Sequence, residues 1–309
     1  MKRKNIIVTG ANGYLGSQLV RKLSQRGDTV WAVIRSEESN ISSISGLQGV
    51  HLVVCPMEKI ESLSSMLPPD LCVDTCYHLA WYSGKKLRNL NLKKQVDLIS
   101  QSLNLMRTIA QMGCRRFIGT GSILETNSNL PLAYHPNMVY AITKDCTNKL
   151  LLLQARELGI GYCWCRLCGL YGGNDRTGNL VSYAIENLKA GKSPEFSDGS
   201  QPYSFIHVED CADALIKIGD SSNESISFLT ISGPECQTIR QYMETIGRIV
   251  SPDVQLKFGA RPDDEIRYQR EWFDNKMLKE KFDVKYKYSF SDGVMDIALS
   301  SEDQPGEIR

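Results

Sequence analysis

Apolar positions along this chain switch repeatedly between a period of two and a period near 3.6. Asn5–Thr9 reads as a strand, the glycine-rich run TGANGYLG follows from Thr9 to Gly16, and Leu15, Leu19, Val20 and Leu23 then make one stripe of a helix from about Tyr14 to Gln25. TVWAVIR, ending at Arg35, predicts a second strand. Further strands are predicted in HLVVC from His51, CVDTCYHLA from Cys72, RRFIGTGS from Arg115 and GYCWCRLCG from Gly161, with helical stretches mostly between them. The longest helical stretches are Leu90–Met112 and Val139–Glu157. Parallel strands need long crossovers and helices supply them, so this alternation predicts an α/β fold with a doubly wound parallel sheet.

After Tyr171 the regularity changes. GGNDRTGN and AGKSPEFSDGSQPYS are loop-rich, and FIHVEDCADALIKI from Phe205 brings the chain back to the sheet region. From Cys236 short helices alternate with one strand, QLKFG, before the polar tail SSEDQPGEIR. The organisation expected is a dinucleotide-binding domain from residues 1–170 plus about 203–234, and a smaller, discontinuous substrate-binding lobe from about 171–202 plus 235–300. Residues 301–309 are expected to fray.

Composition narrows the function. A 309-residue chain with 42% hydrophobic residues has ample material for a packed core. Lys plus Arg (36) balances Asp plus Glu (35), so nothing points to nucleic acid or an anionic membrane as partner. The apolar IIV behind the basic MKRK is too short for a signal sequence, and no segment reaches the roughly 18 apolar residues of a membrane span. The protein therefore reads as cytoplasmic. Ten cysteines without a secretory signal fit a reducing compartment. On a strand Cys163 and Cys165 point the same way in an apolar run, so they and Cys168 read as buried thiols, and no metal is expected.

The chemistry concentrates at a few spacings. Gly10, Gly13 and Gly16 lie between a strand and a helix, where they allow a tight turn, close approach of backbone to a pyrophosphate and donors at a helix N-terminus. Nicotinamide dinucleotide folds that select NAD place Asp or Glu about 20 residues further on, whereas an Arg accepts the extra 2′-phosphate of NADP. Arg35-Ser36 stands there, which favours NADP(H) over NAD(H). The alternative is that Arg35 is a solvated charge and Glu37 or Glu38 reaches the ribose. Tyr140 and Lys144, four apart, share a helix face, so an ammonium can favour the ionised form of a phenol. With Ser122 eighteen residues upstream, this set predicts redox chemistry at a carbonyl or carbinol carbon.

Taken together, TGANGYLG, HLAW (His78–Trp81), RRFIGTGS (Arg115–Ser122), YAITK (Tyr140–Lys144), RLCGLYG (Arg166–Gly172) and FIHVEDCADA (Phe205–Ala214) resemble the extended short-chain dehydrogenase/reductases. The likeness is to their nucleotide-sugar epimerase/dehydratase branch and spans nearly the whole chain. It implies a Rossmann fold and puts a catalytic triad on Ser122, Tyr140 and Lys144. Implied cofactor contacts are Asn12, Tyr14 and Leu15 in the glycine turn, Arg35 and Ser36, Met57, Leu79 and Ala80, with Tyr140 and Lys144. Implied substrate contacts are Trp81, Tyr82, Ser122, Leu180 and Tyr203, with Asn179 and Arg261 on the nucleotide diphosphate. A homodimer through the two long helices is implied as well.

Departures from the family pattern choose among its reactions. Ile123 and Leu124 stand where the dehydratases carry an acid pair, so dehydration is disfavoured. Tyr203-Ser204 replaces a usual Arg-Asp, and Pro56 replaces an Asp near the adenine, leaving adenine to main chain around Met57. The expectation is NADPH-dependent reduction of the C4 keto group of a nucleotide-linked 4-keto-6-deoxyhexose. The alternatives are an NAD-dependent hexose 4-epimerase using the same three residues and, in another class, a non-catalytic dinucleotide-sensing protein.

Overall fold

The computed structural model describes residues 3–82, 91–129, 138–173, 175, 178–221, 224–264 and 266–300. Its strands are β1 (Asn5–Thr9), β2 (Thr29–Ile34), β3 (Val50–Val54), β4 (Thr75–His78), β5 (Arg116–Ser122), β6 (Gly161–Leu167), β7 (Gly169–Tyr171), β8 (Pro202–Tyr203), β9 (Phe205–His207), β10 (Ile226–Ile231) and β11 (Gln237–Thr238). Its α-helices are α1 (Tyr14–Gln25), α2 (Leu92–Gln111), α3 (Met138–Leu158), α4 (Leu180–Lys189), α5 (Val208–Asp220), α6 (Ile239–Val250), α7 (Lys276–Phe282) and α8 (Phe290–Ser300). The start of the predicted helix at Leu90, part of the GGNDRTGN loop and the tail 301–309 lie outside the described residues.

Seven strands pair in the order β10-β6-β5-β4-β1-β2-β3, all parallel. Ile6, Ile7 and Val8 in β1 are fully buried, as a central strand covered on both faces requires. On one face Leu19 and Leu23 of α1 pack with Leu215 and Ile218 of α5. On the other, Leu105 and Ile109 of α2 and Leu151 and Ala155 of α3 close over Phe117, Tyr162 and Trp164. A separate apolar cluster joins Val181 and Ile185 of α4 to Met243 and Ile246 of α6 and to Phe290 and Val294 of α8, with Tyr171 and Phe205 at its base.

Two details differ from the sequence expectation. The strand that re-enters the sheet is Ile226–Ile231, alongside β6, while Phe205–His207 pairs instead with Gly169–Tyr171 in a small separate sheet. QLKFG forms no strand; Lys257 makes a single bridge to Glu195, and Leu256 and Phe258 are fixed by packing on the α4–α6–α8 cluster rather than by a ladder.

Strand order reverses between β1 and β4, so the connections leaving their C-terminal ends diverge to opposite faces and open a crevice there. The candidate site lies in it. Among the described residues no helix is long and apolar enough to cross a membrane.

Candidate active site

A cleft of about 510 Å³ opens above the C-terminal ends of β1, β4 and β5. Its first wall is the glycine turn. Gly10 has φ +68°, and a Cβ there would stand 2.8 Å from the Ala80 nitrogen; a Cβ at Gly16 would stand 2.1 Å from the Gly10 oxygen. Both positions are thereby closed to any side chain, and the turn lies tight against the segment after β4. Helix α1 starts from Gly13 with no side-chain cap and no acidic residue in its first turn. Its leading N–H groups and positive dipole end therefore suit an anion such as a pyrophosphate.

Further along the same wall Arg35, Ser39 and Met57 border the cleft. The Ser36 nitrogen donates to Ser39 Oγ at 3.2 Å, so Ser36 shapes the turn while Ser39 faces the opening. Tyr82, also on the cleft, donates its hydroxyl to Glu58 at 2.7 Å. Burial, reinforced by that carboxylate, pushes the phenol up to about 12, with Arg35 opposing the rise.

A chain of hydrogen bonds fixes the segment Leu79–Ala80. Ser102 donates to the Leu98 carbonyl at 2.7 Å and so accepts from His78 Nε2 at 2.9 Å. That tautomer leaves His78 Nδ1 to accept from Thr9 Oγ1 at 2.8 Å, and Thr9 Oγ1 accepts from the Ala80 nitrogen at 3.3 Å. Burial, then the nearby Lys144 charge, lower the imidazole to about 3, so His78 stays neutral as this relay needs.

Ser122, Tyr140 and Lys144 line the opposite wall. Ser122 ends β5, and Tyr140 and Lys144 come from successive turns of α3. The Lys144 ammonium is buried, donates to the Thr120 carbonyl at 2.6 Å and sits 3.8 Å from the centre of the Trp81 ring. Trp81 is itself fixed by donating to Gln95 Oε1 at 2.8 Å, while Gln95 donates to the Tyr82 carbonyl at 2.8 Å. Burial pulls Lys144 down to about 7, against the raising influence of Glu125. A lysine near neutrality can hold or release charge as its surroundings change.

Four predicted site residues do not border the cleft: Ser36, Leu180, Tyr203 and Arg261. The Tyr203 ring packs among Phe205, Tyr268 and Phe273, with centroids 4.9, 5.6 and 5.3 Å away. Arg261 donates to the Tyr183 hydroxyl at 2.8 Å. Leu180 opens α4 and packs on the α4–α6–α8 cluster. Asn179 does border the cleft, but its side chain caps α4, accepting from Val181 and Ser182 nitrogens and donating to the Leu170 carbonyl at 2.7 Å. Residues that spacing did not reveal are Ser39, Gln95 and Glu125. Glu125 is a buried carboxylate just behind Ser122, and a charge three places beyond a strand carries no sequence signal of burial. Cys163 and Cys165 are buried in β6 with sulfurs 3.9 Å apart.

The depressed Lys144 value has a consequence for stability. Its ordinary value is 10.5 and its folded value is about 7, so between these the unfolded chain binds the extra proton and wild-type stability rises with pH. Lys144→Met removes the cost of the buried charge and should unfold at a higher temperature than wild type at pH 7, with the gap narrowing as pH approaches 10. Thermal unfolding across pH 6–10 checks this; a gap that ignores pH contradicts it.

With that geometry in place, the likenesses to other proteins become specific. Residues 6–228 match the model of the NAD dependent epimerase/dehydratase family. A dTDP-4-dehydro-6-deoxy-D-allose reductase of Streptomyces is 24% identical over 266 residues, covering 74% of this chain and 79% of its own. A CDP-abequose synthase of Yersinia pseudotuberculosis is 25% identical over 298 residues, covering 91% of this chain and 99% of its own. The crystal structure of the Thermotoga maritima UDP-glucose 4-epimerase with UDP-glucose superposes with a TM-score of 0.81 at 22% identity, covering 96% of this chain and 98% of the other, a likeness of fold. The chain belongs to the NAD dependent epimerase/dehydratase family.

Proposed function

We propose that this protein uses NADPH to reduce the C4 keto group of a nucleotide-linked 4-keto-6-deoxyhexose. The observation that carries the reading is that Ser122, Tyr140 and Lys144 border the same cleft as the glycine turn and Arg35. The names of two similar proteins, a dTDP-4-dehydro-6-deoxy-D-allose reductase and a CDP-abequose synthase, agree with a nucleotide-sugar substrate. Bound NADPH supplies the hydride that C4 receives. Ser122 donates a hydrogen bond to the ketone oxygen and fixes it against the hydride donor. Tyr140 gives its phenolic proton to the oxygen as negative charge develops there, yielding the alcohol. Lys144 stabilises the resulting phenolate, and the cofactor and substrate phosphates help keep it charged.

The C-terminal segments 171–202 and 235–300 serve as the substrate lobe and the remainder of the described chain as the cofactor domain. Asn179 keeps one amide hydrogen beyond its capping role for a diphosphate oxygen. Arg261 would exchange the Tyr183 hydroxyl for the same group. The chain pairs with a second copy through α2 and α3, where Leu92 and Leu153 are each 60% exposed.

Four measurements test this reading. Incubated with NADPH and a panel of dTDP-, CDP-, UDP- and GDP-linked 4-keto-6-deoxyhexoses, the protein should oxidise NADPH with one of them. Tyr140→Phe should lose at least roughly 100-fold in kcat while still binding NADPH, the lower range for a missing general acid. Normal turnover by that variant, or interconversion of sugars without net NADPH use, would contradict the assignment. Arg35→Asp should reverse the preference from NADPH to NADH in kcat/KM, because a carboxylate repels the 2′-phosphate; an unchanged ratio would remove Arg35 from the cofactor site. Leu153→Lys should turn a dimer into a monomer by light scattering, and a wild-type monomer would rule the pairing out.

A further inference from the structure

Directly behind the Ser122–Lys144 wall lies a carboxylate that the proposed reaction does not use. Glu125 sits in the 3₁₀ turn Ile123–Asn129 that follows β5, and its side chain has no exposed surface. Oε1 accepts from the Ser122 nitrogen at 2.7 Å. Oε2 accepts from Trp164 Nε1 at 2.9 Å and from Arg166 Nε at 3.0 Å. β5 is shaped to admit this group. A Cβ at Gly121 would lie 2.1 Å from Glu125 Oε1 and 2.3 Å from Trp164 Nε1, and one at Gly119 would lie 2.4 Å from the Trp164 ring.

A buried carboxylate is costly to desolvate, and this one is compensated by three donors, the Ser122 nitrogen, the Trp164 indole and the Arg166 guanidinium. What distinguishes it is where its influence falls. One oxygen fixes the backbone of Ser122, which borders the cleft, and the Leu124 nitrogen donates back to Ser122 Oγ at 3.3 Å, so the whole turn is anchored on Ser122. The same carboxylate interacts through space with Lys144, whose own hydrogen bond goes to the Thr120 carbonyl.

We infer that Glu125 is a positioning residue for the proposed reduction, holding the Ser122 backbone in register and supplying fixed negative charge to the buried Lys144 ammonium. The inference rests on the function proposed above. The charged and titratable groups around the pair come from three elements. From β6, Arg166 contacts Glu125 and stands 3.7 Å from Asp145, and the buried Tyr162 is held neutral by burial with Glu125 contributing. From α3 come Tyr140, Lys144 and Asp145, the last paired with Lys149 at 2.7 Å. From β4 comes the neutral His78. Arg166 thus divides its charge between two carboxylates, and removing the Glu125 charge leaves Lys144 facing net positive surroundings.

The test uses Glu125→Gln and Glu125→Asp in the full chain. NADPH affinity is followed by its fluorescence from pH 6 to 10, and kcat and KM are measured on whichever keto-sugar the wild type reduces. Wild-type affinity should fall as Lys144 loses its proton. In E125Q that fall should move to lower pH by roughly one unit, the small end of the effect of a nearby opposite charge. E125D keeps the charge but withdraws it from the Ser122 nitrogen, so its pH profile should match wild type while kcat drops roughly ten-fold at unchanged KM, as for a lost hydrogen bond to a charged group. An E125Q profile superimposable on wild type, or E125D with wild-type kcat, overturns the inference even if either variant melts earlier. Should E125Q fail to fold, the kcat of E125D decides. A wild type that binds no NADPH at any pH sinks the proposed function itself, and this inference with it.

Discussion

Burying the ammonium of Lys144 is the constraint around which the centre of this molecule is arranged. An ammonium out of water is unfavourable unless its donors are met and its charge is balanced. Here one donor goes to the Thr120 carbonyl, the indole of Trp81 lies over the charge, and Glu125 contributes its field from behind. The arrangement compensates incompletely, which is why the group is drawn toward neutrality. Its neighbours answer in turn: His78 is kept neutral partly by that charge, and its relay through Thr9 pins Ala80 against the glycine turn. A side chain that weakens the fold thus organises both walls of the cleft, a common trade at functional sites.

Strand β5 transmits that order. Thr120 meets Lys144, Gly121 gives space to a carboxylate and an indole, and Ser122 ends the strand at the cleft. Consecutive residues of a strand point to opposite faces, so one short run serves the core behind the sheet and the opening above it. The glycines of β5 are there for packing, whereas Gly10 and Gly16 are there for a turn. The same residue type answers two separate needs within one site.

Much of this was legible in the sequence. The bounds of α1 follow from the Leu15–Leu19–Leu23 stripe between glycine punctuation, and six strands of the sheet were visible as apolar runs with helical periods between them. The place of ISFLTI alongside β6, and the pairing of Phe205–His207 with β7 rather than with the main sheet, depend on pairing geometry, which no local pattern encodes. At the site, the spacing of Tyr140 and Lys144 and the glycine turn were readable because each has a local geometric meaning. Glu125 and Gln95 were not, since they matter only through contacts across the fold. Tyr203 and Arg261 came from family resemblance alone, and both side chains are engaged away from the cleft.

The ionisation of Lys144 tests this arrangement most directly. Lysine-selective ¹⁵N labelling, with Lys144→Met to assign the Nζ signal, would follow its titration in the ligand-free protein. The expected midpoint lies near neutrality, at about 7. A midpoint at the ordinary value of 10.5 would mean that the ammonium is not desolvated and that the cleft is not organised around it.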